Sequence, residues 1–178
     1  MNSMEIVKTK VAIIGSGPAG LLLGQLLYKA GIEHVIIEQR SADYVSSRIR
    51  AGILEQVSVD LLTEAGVDQN LKAHGLPHSG IEILTQGQKH RVDLAALTGG
   101  KQVTVYGQTE VTKDLMHARE QAGLSSYYEA QHVQVDDFYA QPKVTFEYQN
   151  QSYQIECDFI AGCDGFHGVC RASVPEDK

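Results

Sequence analysis

The chain has 178 residues, 43% hydrophobic and 21% charged, with three cysteines and a net charge of −7. That length suits one domain, or one domain with a satellite, and the composition is ordinary for a globular protein, which excludes disordered and fibrous readings. The acidic balance argues against nucleic acid as a partner, and no apolar run approaches the roughly 20 residues of a membrane span.

The first predicted element is a strand, Val11 to Ile14, four apolar residues of the kind buried on both faces. Gly15-Ser16-Gly17-Pro18-Ala19-Gly20 follows at once, with glycines at relative positions one, three and six. It opens an amphipathic helix over Leu21 to Ala30, which Gly31 closes. Gly15 permits a tight turn, Gly17 lets backbone approach a pyrophosphate, and Gly20 keeps a Cβ out of the helix–strand contact. Free N–H groups and the positive dipole end at the helix start favour the anion. A second strand, Val35 to Ile37, ends in Glu38, about 20 residues on, where a carboxylate accepts ribose hydroxyls. The pattern reads as a dinucleotide site.

Beyond a polar connection, Gln39 to Tyr44, the helical spacing of Ile53, Leu54, Val57, Leu61 and Leu62 predicts a helix ending at Ala65-Gly66. Leu71 to His78 is indistinct, with Gly75 and Pro77 breaking any helix. Alternation at Ile81, Ile83 and Thr85, the turn Gln86-Gly87-Gln88 and the return Arg91 to Leu94 predict a hairpin. Thr98-Gly99-Gly100 reads as a loop, Val103 to Tyr106 as a strand, and Leu115, Met116, Ala118 and Ala122 as a helix closed by Gly123. Three antiparallel strands are expected over His132 to Phe138, Lys143 to Tyr148 and Tyr153 to Cys157. Phe159 to Gly162, short and apolar like Val11 to Ile14, returns the chain to the parallel sheet. Cys157, Cys163 and Cys170 fit no metal spacing and read as reduced thiols, the first two buried beside a strand. The N-terminus carries Glu5 and lacks a signal-peptide pattern, so a cytoplasmic protein is expected.

The glycine motif resembles the FAD-dependent aromatic hydroxylases, the single-component flavin monooxygenases, when taken with Gly162-Cys163-Asp164-Gly165 and Arg171. Arg48-Ile49-Arg50-Ala51-Gly52-Ile53-Leu54-Glu55-Gln56 and Val105-Tyr106-Gly107-Gln108-Thr109-Glu110-Val111-Thr112 carry the same resemblance, which runs from Val7 onward. It implies a Rossmann-like α/β FAD-binding fold of glutathione-reductase type. Residues 1–178 would form the FAD-binding domain, with a β-hairpin region at 79–100 and a β-meander insertion at 130–157. The family's C-terminal substrate half would be absent, the chain ending at Lys178 soon after the Asp164-Gly165 motif.

The resemblance further implies FAD as cofactor, NADPH and O2 as co-substrates, and hydroxylation of 4-hydroxybenzoate to 3,4-dihydroxybenzoate by the intact enzyme. By themselves the 178 residues are expected to keep part of the FAD affinity and to lack hydroxylation. Another phenolic or aromatic acid as substrate, a nicotinamide-only Rossmann dehydrogenase domain and a non-catalytic fragment stay open, as does the choice between monomer and homodimer.

Residue roles follow from the same resemblance. Gly15, Ser16, Gly17, Pro18, Ala19 and Gly20 would hold the FAD pyrophosphate, and Glu38 with Gln39 the adenosine ribose. Arg50 would bind the pyrophosphate region with Arg48 beside it near the flavin, since backbone N–H groups only partly offset two phosphate charges. Gln108 would meet the flavin's polar edge, and Asp164-Gly165 would serve both FAD and NAD(P)H. Arg40, Tyr44 and His167 are the NADPH candidates, a guanidinium suiting a 2′-phosphate and a protonated imidazole adding a cation. His78 matches a histidine that the family links to proton release from the phenol, although in this chain alone it is expected to be an inert loop residue. One departure stands out: Gly168 occupies a position where the family usually has serine, while Arg171 is where the family places it.

Overall fold

A computed structural model describes residues 4–137 and 140–175. Phe138 and Lys178, the expected ends of one strand and of the chain, lie outside the described residues. The chain runs through β1 (Glu5–Lys8), β2 (Val11–Ile14), α1 (Pro18–Lys29), β3 (His34–Ile37), α2 (Ala42–Ser47), β4 (Ile53–Glu55), α3 (Gln56–Glu64), α4 (Gln69–His74) and β5 (Leu76–His78). It continues with β6 (Gly80–Thr85), β7 (Gln88–Asp93), α5 (Leu94–Leu97), β8 (Val103–Val105) and α6 (Gln108–Gln121). The last part carries β9 (Ser126–Tyr127), β10 (Gln131–Asp136), β11 (Lys143–Tyr148), β12 (Gln151–Glu156), β13 (Phe159–Gly162) and α7 (Val169–Ser173). Two compact units result: one is built from the residues up to Arg48 and from Leu115 onward, the other from Ile49–Asp114. No helix among the described residues is long and apolar enough to cross a membrane.

In the first unit the strands β13-β2-β3-β9 form a parallel sheet, in the register Phe159↔Val11, Val11↔His34 and Ile36↔Ser126. Phe159 to Gly162 therefore does return to the sheet that Val11 to Ile14 begins. Strand alternation sends Ala12, Ile14, Val35 and Ile37 to one face. There they pack with Ala130, Val144, Phe146, Ile155 and Cys157 of the covering layer, all buried. Each buried valine, isoleucine or phenylalanine among them contributes about 1.5–3 kcal/mol. That layer is a second sheet, β1-β12-β11-β10, antiparallel except where β1 runs parallel to β12. Tyr127, Phe146, Tyr148 and Tyr153 close it with ring centroids 5.1 to 5.9 Å apart. The opposite face of the parallel sheet carries α1: a methyl on Gly24 would meet Arg119 Nη1 at 3.1 Å, His34 Nε2 at 3.2 Å and Ile36 Cδ1 at 3.3 Å. The layers are thus helix, parallel sheet and antiparallel sheet, an α/β arrangement.

The meander departs from expectation at its edges. β12 starts at Gln151 rather than Tyr153, because Gln149 and Asn150, at φ 51° and 60°, complete the turn by themselves. β1 and β9 had no expectation at all. Cys157 is buried as expected, whereas Cys163 is only half-buried, and all three cysteines are free.

In the second unit β4-β8-β5 form an antiparallel sheet and β6-β7 a hairpin. The expected helix from Ile53 is corrected: Ile53 and Leu54 pair with Val105 and Thr104 as β4, and α3 begins only at Gln56, whose side-chain amide donates to Asp60. The indistinct stretch contains a short helix, α4, and then β5. Pro77 is tolerated there because β5 is an edge strand bonded to β8 alone. His78, expected in a loop, is the last residue of that strand. The hairpin turn is the two-residue Gln86-Gly87, with both φ angles positive as that tight turn demands. α6 starts at Gln108, seven residues before the apolar spacing announces it; Thr112 Oγ1 donates back to Gln108 O at 2.8 Å and Lys113 pairs with Glu110.

Candidate cofactor site

The site in the first unit grows out of the ends of β2 and β13. Gly15 leaves β2 at φ +101° and its N–H donates to Ile37 O at 2.8 Å. A methyl here would lie 2.5 Å from Cys163 O, and Cys163 N–H donates to Ile14 O at 2.7 Å. The turns leaving the two strands are therefore locked back to back, with no room for a side chain between them. A methyl on Gly20 would sit 2.0 Å from Gly15 O, so this glycine closes the loop on itself as α1 begins. Gly17 differs, because a Cβ there would meet nothing within 4 Å. It is the N-cap of α1, no side chain caps the helix, Pro18 stands at its start and no acid lies in its first turn. Uncapped N–H groups, the positive dipole end and an open cradle that a methyl would fill fit a pyrophosphate.

Beside the loop, Ser16 is fully buried. Its N–H donates to Glu38 Oε2 at 2.8 Å and its hydroxyl to the same oxygen at 3.4 Å, while Arg40 N–H donates to Glu38 Oε1 at 2.7 Å. The Glu38 carboxylate is preset by these contacts before any ligand arrives. Gln39 and Arg40 are exposed in the turn that follows. Ser41 Oγ accepts from Tyr44 N–H at 3.2 Å and caps α2. The capped helix carries the exposed Tyr44 ring, with the Arg40 and Arg48 guanidinium carbons 5.4 and 5.7 Å from its centroid. Such exposed cation–ring contacts contribute about 0.5–1 kcal/mol, enough to gather two cations on one ring.

Asp164 caps α7 by accepting from Cys170 N–H at 3.0 Å. A methyl on Gly168 would lie 2.0 Å from Asp164 Cγ, so with Asp164 so placed no side chain fits there. Burial, with Asp164 alongside, pushes the Cys170 thiol up to about 12 and keeps it protonated. Phe166 is exposed, with Arg171 over its ring at 4.1 Å and His167 edge-on at 5.0 Å. Gly15 to Gly20, Glu38 and Asp164-Gly165 thus gather at the carboxyl ends of β2, β3 and β13, where open α/β sheets take their ligands.

Arg50, His78 and Gln108 belong to the second unit. A methyl on Gly52 would be 2.9 Å from Gly107 Cα, and Tyr106 N–H donates to Gly52 O at 2.8 Å. The exposed Arg50 lies two residues, and the half-buried Gln108 one residue, from that close backbone approach. His78 is exposed at the end of β5. Sequence reasoning missed Tyr128, in the turn after β9, whose phenol is pushed above its ordinary range by burial, with Glu38 adding to the rise and Ser16 and Arg119 opposing it. A tyrosine in a turn after a two-residue strand carries no periodic signal.

Comparison with known proteins matches residues 8–177 to the family described as FAD binding domain. The p-hydroxybenzoate hydroxylase of Acinetobacter baylyi is 83% identical over 175 residues, 98% of this chain and 43% of that protein. Phenol 2-monooxygenase of a Pseudomonas species is 32% identical over 77 residues, 43% of this chain and 12% of that one. The crystal structure of p-nitrophenol 4-monooxygenase PnpA from Pseudomonas putida superposes with a TM-score of 0.79 at 20% identity, covering 94% of this chain and 43% of that one, and shares its fold. The chain spans less than half the length of each of these relatives.

Proposed function

Since the chain belongs to the FAD binding domain family, we propose that it is the FAD-binding segment of a flavoprotein hydroxylase that converts 4-hydroxybenzoate to 3,4-dihydroxybenzoate with NADPH and O2. The identity of 83% over 98% of the chain to p-hydroxybenzoate hydroxylase is the observation that carries this reading. FAD supplies the electron transfer and oxygen chemistry when bound. The chain's residues supply position. The N–H groups opening α1 and the space beside Gly17 would hold the pyrophosphate, with Arg50 adding charge and Arg48 standing near it. Glu38, with Gln39 next to it, would accept the adenosine ribose. Gln108 would address the flavin's polar edge, and Asp164-Gly165 the chain between flavin and phosphate.

Arg40, over the exposed Tyr44 ring, would supply a guanidinium for the NADPH 2′-phosphate, and His167 would supply a further cation when protonated. His78 is retained as the candidate proton relay. A cytoplasmic homodimer belongs to the same proposal. The test is product analysis: the full-length protein with FAD, NADPH, O2 and 4-hydroxybenzoate is expected to yield 3,4-dihydroxybenzoate, faster than from other phenolic acids. The 178 residues alone are expected to turn yellow with FAD and to form no product. Equal or faster turnover of another aromatic acid would replace the substrate assignment.

A further inference from the structure

We propose that Tyr106 and Asp114 are positioning residues that clamp the corner between β8 and α6 and so fix how Gln108 meets the flavin; this rests on the reading of Gln108 as the residue at the flavin's polar edge. The corner is one residue wide. Gly107 stands between Tyr106, just past β8, and Gln108, the first residue of α6. On the strand side Tyr106 N–H donates to Gly52 O at 2.8 Å, and on the helix side the N–H groups of Glu110 and Val111 donate to Gly107 O at 2.9 and 3.1 Å. A Cβ on Gly107 would meet Glu110 Cγ at 3.9 Å and nothing nearer, so packing leaves the corner itself free to turn.

Side chains make the bond across that corner. Tyr106 O–H donates to Asp114 Oδ2 at 2.7 Å, joining the residue before Gly107 to one about two helical turns after it. Asn70, in α4, donates to Asp114 Oδ1 at 2.6 Å, so both carboxylate oxygens are engaged. No cation pairs with Asp114 among the described residues, which leaves the carboxylate as a dedicated acceptor for these two donors. Tyr106 is buried, and burial, then Asp114, push its phenol above its ordinary range, so it stays protonated and donating. A hydrogen bond to a charged acceptor is roughly twice as strong as a neutral one. Gln108 itself is bonded through its backbone, its O accepting from Thr112 Oγ1 at 2.8 Å. Where its amide goes therefore follows from the backbone that Tyr106 and Asp114 fix.

The test titrates the full-length apoprotein calorimetrically with FAD and with ADP-ribose, which keeps the adenosine and pyrophosphate and lacks the flavin. Tyr106→Phe, which removes the O–H and keeps the ring, is expected to weaken FAD by about three- to tenfold, the effect of one hydrogen bond, and to leave ADP-ribose unchanged. Asp114→Ala should reproduce that loss, and Asp114→Asn, whose amide oxygen still accepts from the phenol while the Asn70 amide turns over, should restore it. On a Gln108→Ala background Tyr106→Phe should add little, because the side chain it positions is gone. Equal weakening of both ligands, unchanged FAD affinity, an Asp114→Asn variant as impaired as Asp114→Ala, or an undiminished loss on the Gln108→Ala background overturns the proposal. Gln108→Ala by itself is the control for the underlying reading. If it leaves the FAD-to-ADP-ribose ratio at the wild-type value, the flavin-edge assignment falls, whatever Tyr106→Phe does.

Discussion

Gly17→Ala and Gly20→Ala are expected to separate ligand affinity from stability, although both place one methyl in the same loop. At Gly20 the methyl starts 2.0 Å from Gly15 O, below the 3.0 Å that real Cβ contacts respect, so the loop must open by about 1 Å against the locked turn at Cys163. Overpacking of that size destabilises by about 3 kcal/mol or more, a fall of at least about 6–12 °C in Tm for a protein of this length. At Gly17 the methyl meets nothing, and the backbone at φ −67° and ψ 176° is open to any residue. Restricting the unfolded chain stabilises by about 0.4–1 kcal/mol. Losing glycine at an N-cap costs about half a kcal/mol. The net change in the apoprotein is close to zero.

Affinity should move the other way. The Gly17 methyl occupies the space through which a pyrophosphate reaches the first N–H groups of α1, and each charge-assisted hydrogen bond lost is worth about 1.5–3 kcal/mol, or roughly 10- to 150-fold in Kd. The assay pairs thermal unfolding of the apoprotein with FAD titration followed by flavin fluorescence. A Gly17→Ala variant that binds FAD as wild type does, or that loses as much Tm without ligand as Gly20→Ala, refutes the assignment of that open space to the pyrophosphate.

Three further outcomes are expected. Burial, then the neighbouring Arg119 charge, depresses the His34 pKa below its ordinary 6.5, while its contact with Ile32 O opposes them. The unfolded chain therefore binds the proton more readily, so stability is fully present above pH 6.5 and is lost as pH falls below it; apoprotein Tm should drop on acidification, and His34→Gln should flatten that limb. Ile155→Ala, at a fully buried position between the two sheets, should destabilise by about 2–5 kcal/mol in chemical denaturation. Arg40→Ala in the full-length protein should raise KM for NADPH about tenfold with little change for NADH, since one phosphate contact is lost; equal changes for both would remove Arg40 from phosphate recognition.

The parts of the site legible in the sequence are those whose signal is local. Gly15 to Gly20 declare themselves by spacing, and Val11 to Ile14, His34 to Ile37 and Phe159 to Gly162 by uninterrupted apolar character, because a strand covered on both faces needs no alternation. Asp164 and Gln108 were reached only through resemblance, and the lack of room at Gly168 only through the carboxylate that crowds it. β1 was silent because Glu5–Lys8 has no pattern of its own and is held by β12. Ile53 misled because apolar residues at 53, 54 and 57 satisfy helical spacing, while the partner that makes 53–55 a strand lies at Val103–Val105. Tyr128 escaped for the same reason, since its surroundings are made by residues distant in sequence.

The back-to-back turns at Gly15 and Cys163 also set an order of events during synthesis. β2 cannot complete its pairing until β13 has left the ribosome, and at about 5–20 residues per second the interval between Ile14 and Gly162 lasts roughly 7–30 s. Through that interval the glycine loop is present with one wall missing, beside an apolar strand edge open to other chains. A complete cradle around the glycine loop is consequently expected only late in synthesis, once β13 has paired with β2.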